Sequence, residues 1–512
     1  MLSLWISSEP TTETLLRGIS RLPFRPTVPV VCLLLAGVVA ILMRLPGLWL
    51  PLERDEGAYG LIAAQWLAGS LPYRDVFDHK PPLIYLLYMP ALLLGEQVTF
   101  TIRLWASLLF LLQLPIVFAI GRHAWNTADA GLATLVYAVA GSAFTLQGLM
   151  FNTEQALMLP ALGALWALVR AREDARLRWF AFYGLCLGCV TLIKPTAAPL
   201  LVPLVMLTGA PSLPGRLQQL AVTCLCAMVP WLPFILYWGA VGALADLIFA
   251  LVEYNRLYAA ESLGRWSTAG IVDILAPFAP LLICAVGGAV SATGAGASRR
   301  GTLIVLWTLA FFCAALLSLR PYTHYYYPVL AGLSLLAAPP IIVLARQAHR
   351  VSGRWQRLLA TSGPLILLAL LLVPFALDNL RLIRLDPVEQ AAALYGLDGT
   401  SYFVPAQEVA TIVKAATRPD EPIYVWGSEP EIYLLSGRRT TSRYIFDYPL
   451  GLLPRARQML IAELRRRPPA VIVTYQGFGD EDFVTIAQSQ NLSLSTTIGG
   501  FDIWTAPGTR IP

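Results

Sequence analysis

Charged residues are scarce in this chain. They make up 13% of its 512 residues, whereas 57% are hydrophobic and the mean hydropathy is +0.63. A soluble domain of ordinary composition carries about a quarter of its residues as charges, so this deficit excludes an ordinary soluble protein. The few basic residues are not interleaved with aromatic residues as they are in nucleic-acid sites, and we expect no nucleic-acid partner.

Lysine is almost absent. It occurs only at Lys80, Lys194 and Lys414, although lysine and arginine together number 37. Because the lysine ammonium is a compact point charge suited to a phosphate, we expect Lys80 and Lys194, which flank apolar segments, to have a function.

Several motifs of soluble enzymes are missing. No Walker loop, GxSxG elbow or HExxH helix occurs, so nucleotide hydrolysis, serine hydrolysis and zinc proteolysis have no motif here. The seven cysteines all lie in apolar runs, where we expect buried hydrophobic residues and no disulfide framework.

Long apolar runs fill residues 29–377. The arginines before the first run are typical of a signal peptide, but the run is too long and no cleavage site follows. Residues 1–28 are therefore predicted to be a cytoplasmic N-terminal segment and residues 29–50 an uncleaved first span. Ten further windows lie at 99–121, 129–149, 153–170, 179–193, 195–209, 219–240, 270–291, 302–319, 325–345 and 359–377. The pattern predicts an α-helical multi-pass membrane protein with about 11–13 transmembrane helices.

The placement of arginine predicts the orientation. The connections that carry most arginines alternate with connections that carry few, which is the positive-inside asymmetry. It places residues 122, 170–178, 216, 299–300 and 346–357 in the cytoplasm. The first outer loop, residues 51–98, then lies outside, with residues 82–95 as a helix in the outer leaflet. We expect the chain to lie in the plasma (inner) membrane.

The composition changes at Asp378. Beyond it charges become frequent and apolar runs shorten. Residues 404–417 and 453–467 read as helices, residues 422–426 and 470–475 as buried strands, and two short strands follow. Residues 378–512 are therefore predicted to form a small α/β domain on the extracytoplasmic side.

Ionisable residues converge on this outer face from distant parts of the chain, where charges at a membrane are a functional-site hypothesis. A leaving phosphate needs cations and hydrogen-bond donors, and an acceptor hydroxyl needs a carboxylate to take its proton. We therefore predict Asp55, Glu56 and Glu154 as catalytic acids, with Glu56 orienting Asp55 or sharing its proton. Predicted phosphate ligands are Lys80, Lys194, Arg256 and His324, and predicted substrate contacts are Tyr59, Asp78, His79 and Tyr325.

The order of these motifs resembles the polyprenyl-phosphate-dependent glycosyltransferases of the C superfamily. The branch in question contains the protein O-mannosyltransferases and the lipid A aminoarabinose transferases. The resemblance covers about residues 30–345 and is carried by Asp55-Glu56, Lys80-Pro81-Pro82-Leu83, Glu154, the run from Gly184 to Pro195 with Lys194, Arg256 and the Tyr-Tyr-Pro run that ends at Pro328. Ala58 and His79 depart from the pattern of the aminoarabinose transferases, and Lys80 departs from the histidine that the protein mannosyltransferases tend to have before Pro-Pro. The chain therefore belongs clearly to neither subgroup, and the sugar and the acceptor stay open.

The resemblance implies a reaction and a set of roles. Asp55 would activate the acceptor, and Lys80, Lys194 and Arg256 would hold the donor phosphate. The sugar would pass with inversion, and without a covalent intermediate, from a polyprenyl-phosphate donor to a lipid, glycan or protein acceptor. Residues 378–512 would lie near that acceptor.

Two other classes compete with this interpretation. A transporter or lipid flippase would show repeats and midplane charges, whereas these charges cluster at one face. A non-catalytic assembly subunit would carry an outer domain far from the Asp55 loop. No cofactor is certain, although Asp55, Glu56, Asp78 and His79 have the oxygen and nitrogen atoms that a divalent cation would need.

Overall fold

The computed structural model describes residues 27–197, 201–205, 212–261, 272, 274–293, 299–318, 322–396, 398–475 and 480–511. The predicted N-terminal segment and the ends of several predicted windows lie outside these residues. Over the described residues the chain forms a large helical assembly followed by a small mixed sheet with its own helices. The predicted fold class, a multi-pass helical membrane protein with a C-terminal α/β domain, is confirmed.

Seven described helices are long and apolar enough to cross a membrane. They are Val28–Trp49, Val98–Ala124, Leu213–Ala240, Ala276–Thr293, Arg299–Leu317, Val329–Ala348 and Arg354–Ile383. Leu83–Leu93, Thr127–Ala140 and Leu177–Thr191 are apolar but shorter. At a rise of about 1.5 Å per residue, none of these three covers the full hydrocarbon thickness as an upright helix.

Two of the predicted membrane-spanning windows are not continuous helices in the structure. Hydropathy alone does not distinguish a helix from a buried turn. The window 129–149 is helical only to Ala140, and residues 141–150 form turns that are mostly buried among the helices. Gln147 takes a positive φ of 53° there. The window 153–170 is divided into Thr153–Ala156 and Met158–Asp174.

The remaining helices connect these spans or belong to the C-terminal domain. They are Arg54–Leu67, Leu244–Ile248, Asn255–Glu261, Pro387–Tyr395, Val404–Ala416, Glu431–Ser436, Tyr448–Leu452, Ala456–Arg466 and Glu481–Ser489. The helix Arg354–Ile383 continues past the compositional change at Asp378, so the charged residues that mark the change begin within its last turns. The predicted domain boundary thus lies inside a helix.

The C-terminal domain is built on four strands in the order β1-β2-β4-β3. They are β1 (Ile423–Trp426), β2 (Val471–Tyr475), β3 (Ser493–Ile498) and β4 (Phe501–Thr505). β1 and β2 pair in parallel, and β4 is antiparallel to both β2 and β3. β1 and β2 are buried almost throughout, as their continuous apolar sequence predicts.

This domain is packed directly on the head of the first outer loop. The helix Arg54–Leu67, called the head helix below, contacts the helix Glu431–Ser436 so closely that a Cβ on Gly57 would lie 2.6 Å from the Glu431 backbone nitrogen. In the segment that follows the head helix, the Phe77 N–H donates to the Arg443 carbonyl at 2.8 Å. The outer loop and the C-terminal domain therefore form one packed unit.

Replacing Gly57 with valine should loosen the C-terminal domain from the head helix, since the new side chain has no space beside Glu431. Overpacking of this kind costs about 1–3 kcal/mol. We expect faster proteolytic release of the domain from the detergent-solubilised protein. Gly37→Val is the matched control, because a Cβ at Gly37, also in a helix, meets nothing within 4 Å. Equal release from both variants would contradict the contact.

Candidate active site

The head helix begins at the acidic cluster. Glu53 is its N-cap, and the Glu53 N–H donates to Glu56 Oε2 at 3.3 Å. Asp55 and Glu56 lie in the first turn, where unpaired N–H groups and the helix dipole favour negative charge. The negative charges of Asp55 and Glu56 are therefore stabilised by the beginning of the head helix.

Glu56 is fully buried and points away from solvent. Its carboxylate lies 2.8 Å from the guanidinium of Arg103 and accepts a 2.8 Å hydrogen bond from the Phe151 N–H. Arg103 is also buried and donates to the carbonyls of Pro51 and Leu149. Sequence reasoning missed Arg103, because it lies inside a predicted span. Glu56 is thus positioned to hold the head helix against the turn 149–151.

Asp55, one residue before Glu56, has a different environment. It is partly exposed and lines a polar cavity of about 550 Å³. The hydroxyl of Tyr59, one turn later on the same helix, donates to Asp55 Oδ2 at 3.1 Å. This hydrogen bond occupies one carboxylate oxygen and orients the group.

The segment Asp78-His79-Lys80 reaches the same region. Asp78 is buried and accepts hydrogen bonds from the His79 N–H at 2.7 Å and the Tyr85 hydroxyl at 2.9 Å. Burial would raise the pKa of Asp78, but its contacts with His79 and the charge of Lys80 hold it below its ordinary value. Burial and Lys80 lower the pKa of His79, so its imidazole is neutral near pH 7.

Lys80 is the cation at the end of this segment. Burial lowers the pKa of Lys80, but the oxygens of Tyr325 and Asp55 around it act more strongly, and the pKa lies above its ordinary value. Lys80 is therefore fully charged at neutral pH. It has the compact positive charge that an anionic group requires.

Glu154 and Lys194 form a second cluster. Lys194 Nζ forms an ion pair with Glu154 Oε1 and lies 3.5 Å from the centre of the Tyr325 ring. Glu154 is buried and also accepts from the Thr153 hydroxyl at 2.9 Å. Because its charge is matched by Lys194, Glu154 is placed to hold that lysine, although we predicted it as a second catalytic acid.

His324 lies beside Tyr325 on the other side of the polar cavity. Its Nδ1 donates to Gln147 Oε1 at 2.8 Å, and its ring stacks on Tyr322 with an interplanar angle of 8°. Burial lowers the pKa of His324, so it is a neutral hydrogen-bonding group near pH 7. Gln147 was not predicted, and its turn position gave no signal.

Two cavities meet at these residues. The second, of about 600 Å³, is lined mainly by apolar side chains such as Trp231, Leu247 and Leu251, with Lys80 and Lys194 at one part of its wall. His79, Lys80, Tyr258 and Tyr325 line both cavities. An apolar chamber that contains Lys80 and Lys194 therefore meets, at Lys80, a polar chamber that contains Asp55.

Most of the predicted residues come together, with the exceptions of Glu56, which is buried against Arg103, and Arg256. Asp55, His79, Lys80, Lys194, His324 and Tyr325 line these cavities. Tyr59, Asp78 and Glu154 contact these residues from behind. Arg256 is exposed on the helix Asn255–Glu261 and lines neither cavity. Its neighbours Asn255 and Tyr258 line the apolar cavity instead.

No metal centre is assembled within the part of the chain that the structure describes, since it contains no group of three or more His, Cys, Asp or Glu side chains placed to hold an ion. His79 Nδ1 lies 3.2 Å from Asp78 Oδ1. Glu56, which we considered as a ligand, is already engaged by Arg103. We therefore derive no step through a metal.

The chain is similar to one known protein family and to solved protein structures. Residues 79–238 match the family model of dolichyl-phosphate-mannose-protein mannosyltransferase. The crystal structure of ArnT from Cupriavidus metallidurans bound to undecaprenyl phosphate superimposes with a TM-score of 0.65 at 15% identity, over 94% of this chain and 99% of that chain. The fold is therefore that of the ArnT structure.

A second solved structure has a similar fold. The archaeal oligosaccharyltransferase AglB from Archaeoglobus fulgidus, in complex with an inhibitory peptide and a dolichol-phosphate, matches with a TM-score of 0.58 at 13% identity, over 94% of this chain and 75% of that chain. No curated protein matches the chain. The match to the family model and the ArnT-like fold confirm the predicted resemblance and favour a glycosyltransferase over a transporter. The roles of individual residues stay predictions.

The buried pair of Glu56 and Arg103 should be strongly coupled. Either Glu56→Met or Arg103→Met leaves a buried charge without its partner, which costs about 3–5 kcal/mol. We expect the double variant to lose less stability than the sum of the two singles, measured as the unfolding free energy of the detergent-solubilised protein.

An exposed ion pair provides the control for this comparison of single and double variants. Arg74 and Asp75 lie 2.9 Å apart with side chains that are 49% and 37% exposed. Arg74→Met should cost no more than about 1 kcal/mol. Additive losses in the Glu56–Arg103 cycle would show that the pair does not act as a unit.

Proposed function

We propose that this protein transfers a sugar from a polyprenyl-phosphate donor to an acceptor hydroxyl. The observation that carries the proposal is the meeting of two unlike cavities at Lys80, next to Asp55. A lipid-linked phosphate has an apolar chain and an anionic head, and it needs a site with both properties. Such a donor explains why two lysines line the apolar chamber.

The donor binds in the apolar cavity. Its prenyl chain contacts side chains such as Leu247, Leu251 and Trp231, and its phosphate lies between Lys80 and Lys194. The structures of ArnT with undecaprenyl phosphate and of AglB with a dolichol-phosphate support this class of ligand. His324 and Arg256 stay predicted phosphate ligands, and of these two only His324 lines a cavity.

The acceptor enters the polar cavity and is activated by Asp55. The carboxylate takes the proton of the acceptor hydroxyl while the oxygen of that hydroxyl bonds to the anomeric carbon of the donor sugar. The bond between that carbon and the phosphate oxygen breaks, and polyprenyl phosphate leaves with its charge stabilised by Lys80 and Lys194. A single displacement of this kind inverts the anomeric centre, and Tyr59 holds Asp55 in position through its 3.1 Å hydrogen bond.

The reaction takes place on the extracytoplasmic side of the plasma membrane. The arginine-rich connections that the sequence places in the cytoplasm support this orientation. The C-terminal domain then lies outside, where it packs on the head helix. Its residues Asp398, Phe403 and Tyr448 line the polar cavity, which gives the domain a direct part in holding the acceptor.

Asp55→Asn should abolish transfer while donor binding remains. General-base catalysis contributes about a hundred- to ten-thousandfold, and the amide cannot take the proton. The assay is transfer of radiolabel from a panel of polyprenyl-phosphate sugars by the protein reconstituted with an extract of its own membrane. Binding of undecaprenyl phosphate, measured alongside, should be unchanged. Transfer at the wild-type rate would refute the role of Asp55.

The three lysines provide a second test. Lys80→Ala and Lys194→Ala should each weaken binding of undecaprenyl phosphate about tenfold or more, since a charge-assisted hydrogen bond is worth about 1.5–3 kcal/mol. Lys414→Ala is the control, because Lys414 lies on an exposed face of the helix Val404–Ala416. Equal binding by all three variants would contradict the phosphate site.

A further inference from the structure

The polar cavity has an acidic wall. Glu53, Asp55, Glu261 and Asp398 all line it, and they come from the head helix, the helix Asn255–Glu261 and the C-terminal domain. Two cations, Arg54 and Lys80, line it as well. The composition of this wall determines which acceptors the cavity admits.

The two cations are already committed to other groups. The guanidinium of Arg54 donates to the Ser428 carbonyl at 2.6 Å and lies 3.5 Å from Glu429 Oε1. Lys80 lies at the junction of the two cavities, where the donor phosphate is proposed to bind. Neither cation is therefore available to hold a second anion in the polar cavity.

One carboxyl of the wall lacks a partner. Glu53 Oε1 is buried and has no hydrogen-bond partner in the described structure. Burial and the charges of Asp55 and Glu56 raise the pKa of Glu53 well above its ordinary value, which favours the protonated form of this carboxyl. A buried polar atom without a partner costs free energy, and a ligand in this cavity would supply the missing hydrogen bond.

Aromatic rings form most of the remaining wall. Tyr258, Tyr322, Tyr325, Tyr395, Phe403 and Tyr448 line the cavity. His324 and Gln147 add uncharged hydrogen-bonding groups. Rings offer flat apolar faces, and carboxyls and amides offer hydrogen bonds, so the wall combines the two properties that a hydroxylated, partly apolar ring requires.

We infer that the acceptor in the polar cavity is a neutral sugar, which presents its hydroxyls to the carboxyls and a ring face to the tyrosines. This inference rests on the proposed transferase function and names its acceptor class. A volume of about 550 Å³ lies within the range of small-molecule sites. An acceptor that carries phosphate is disfavoured, since Asp398 and Glu261 repel it and the two cations of the wall among the described residues, Arg54 and Lys80, are engaged elsewhere.

The test is direct binding to a glycan array. Full-length protein in fluorescent nanodiscs is applied to an array that carries neutral, phosphorylated and amino-substituted oligosaccharides. We expect binding to neutral sugars. Their phosphorylated counterparts should bind at least about tenfold more weakly. Binding confined to phosphorylated or to amino sugars, or no binding at all, would overturn the inference.

Charge variants test the acidic wall. Asp398→Lys should raise binding of phosphorylated sugars relative to their neutral counterparts, because it replaces a repelling charge with an attracting one. Asp420→Lys is the control: Asp420 is 78% exposed, lies in the same domain and does not line the cavity. The same effect from both variants would show that the domain's overall charge, and not the cavity, selects the acceptor.

Ring variants test the tyrosines. Tyr448→Ala should weaken binding of neutral sugars several-fold, up to about tenfold, since an aromatic contact is worth about 0.5–1.5 kcal/mol. Tyr448→Phe keeps the ring face and should restore most of the binding. Failure of the phenylalanine variant to do so would refute stacking at this position.

The transferase function is distinguished by a separate measurement on the same nanodiscs. If the protein binds undecaprenyl phosphate but no neutral sugar, the inference about the acceptor is refuted and the proposed donor site stands. Neutral-sugar binding without lipid-phosphate binding would remove the proposed function instead.

Discussion

The buried ion pair between Glu56 and Arg103 is the interaction on which the site depends. Two charges taken out of water must be matched to each other and to further hydrogen bonds, and here they are. Arg103 links Glu56 to the carbonyls of Pro51 and Leu149, and Glu56 receives the Phe151 N–H. The head helix and the turn 149–151 are thereby fixed to each other. Asp55 is held by the same anchor and is left available for chemistry.

The two chambers differ in charge as well as in polarity. Lys80 and Lys194 line one part of the wall of the apolar chamber. The charge of Asp55 helps to keep Lys80 protonated, and Glu154 forms an ion pair with Lys194. The polar chamber beyond them has carboxyls and aromatic rings. The two chambers therefore offer different surfaces and share part of their lining, namely His79, Lys80, Tyr258 and Tyr325.

Much of this arrangement could be predicted from the sequence. The rarity of lysine pointed to Lys80 and Lys194, and the one-sided placement of arginine pointed to Asp55 and the outer loop. The four strands of the C-terminal domain were also predicted, because short apolar runs between turn residues are a strong local signal. These features depend on composition and local pattern, which a single sequence contains.

The parts that escaped prediction depend on contacts between distant segments. Arg103 looked like one charge in an apolar run, and only its buried partner explains it. Glu56 and Glu154 looked like Asp55 in the sequence, and only the structure shows that Glu56 is paired with Arg103 and Glu154 with Lys194. Arg256 has a suitable side chain, yet the helix it lies on directs it away from the cavities. The turns at 141–150 read as membrane helix, because hydropathy measures burial and not backbone conformation.

The contacts of the outer loop join residues that are far apart in the chain. Arg54 and Ser428 are separated by 374 residues, and Arg443 and Tyr73 by 370. During synthesis the head helix leaves the ribosome long before the segment that buttresses it. The loop therefore acquires its final shape only when the last part of the chain has been synthesised and folded. A chain that terminates early would contain the residues of the outer loop without the segment that holds them in place.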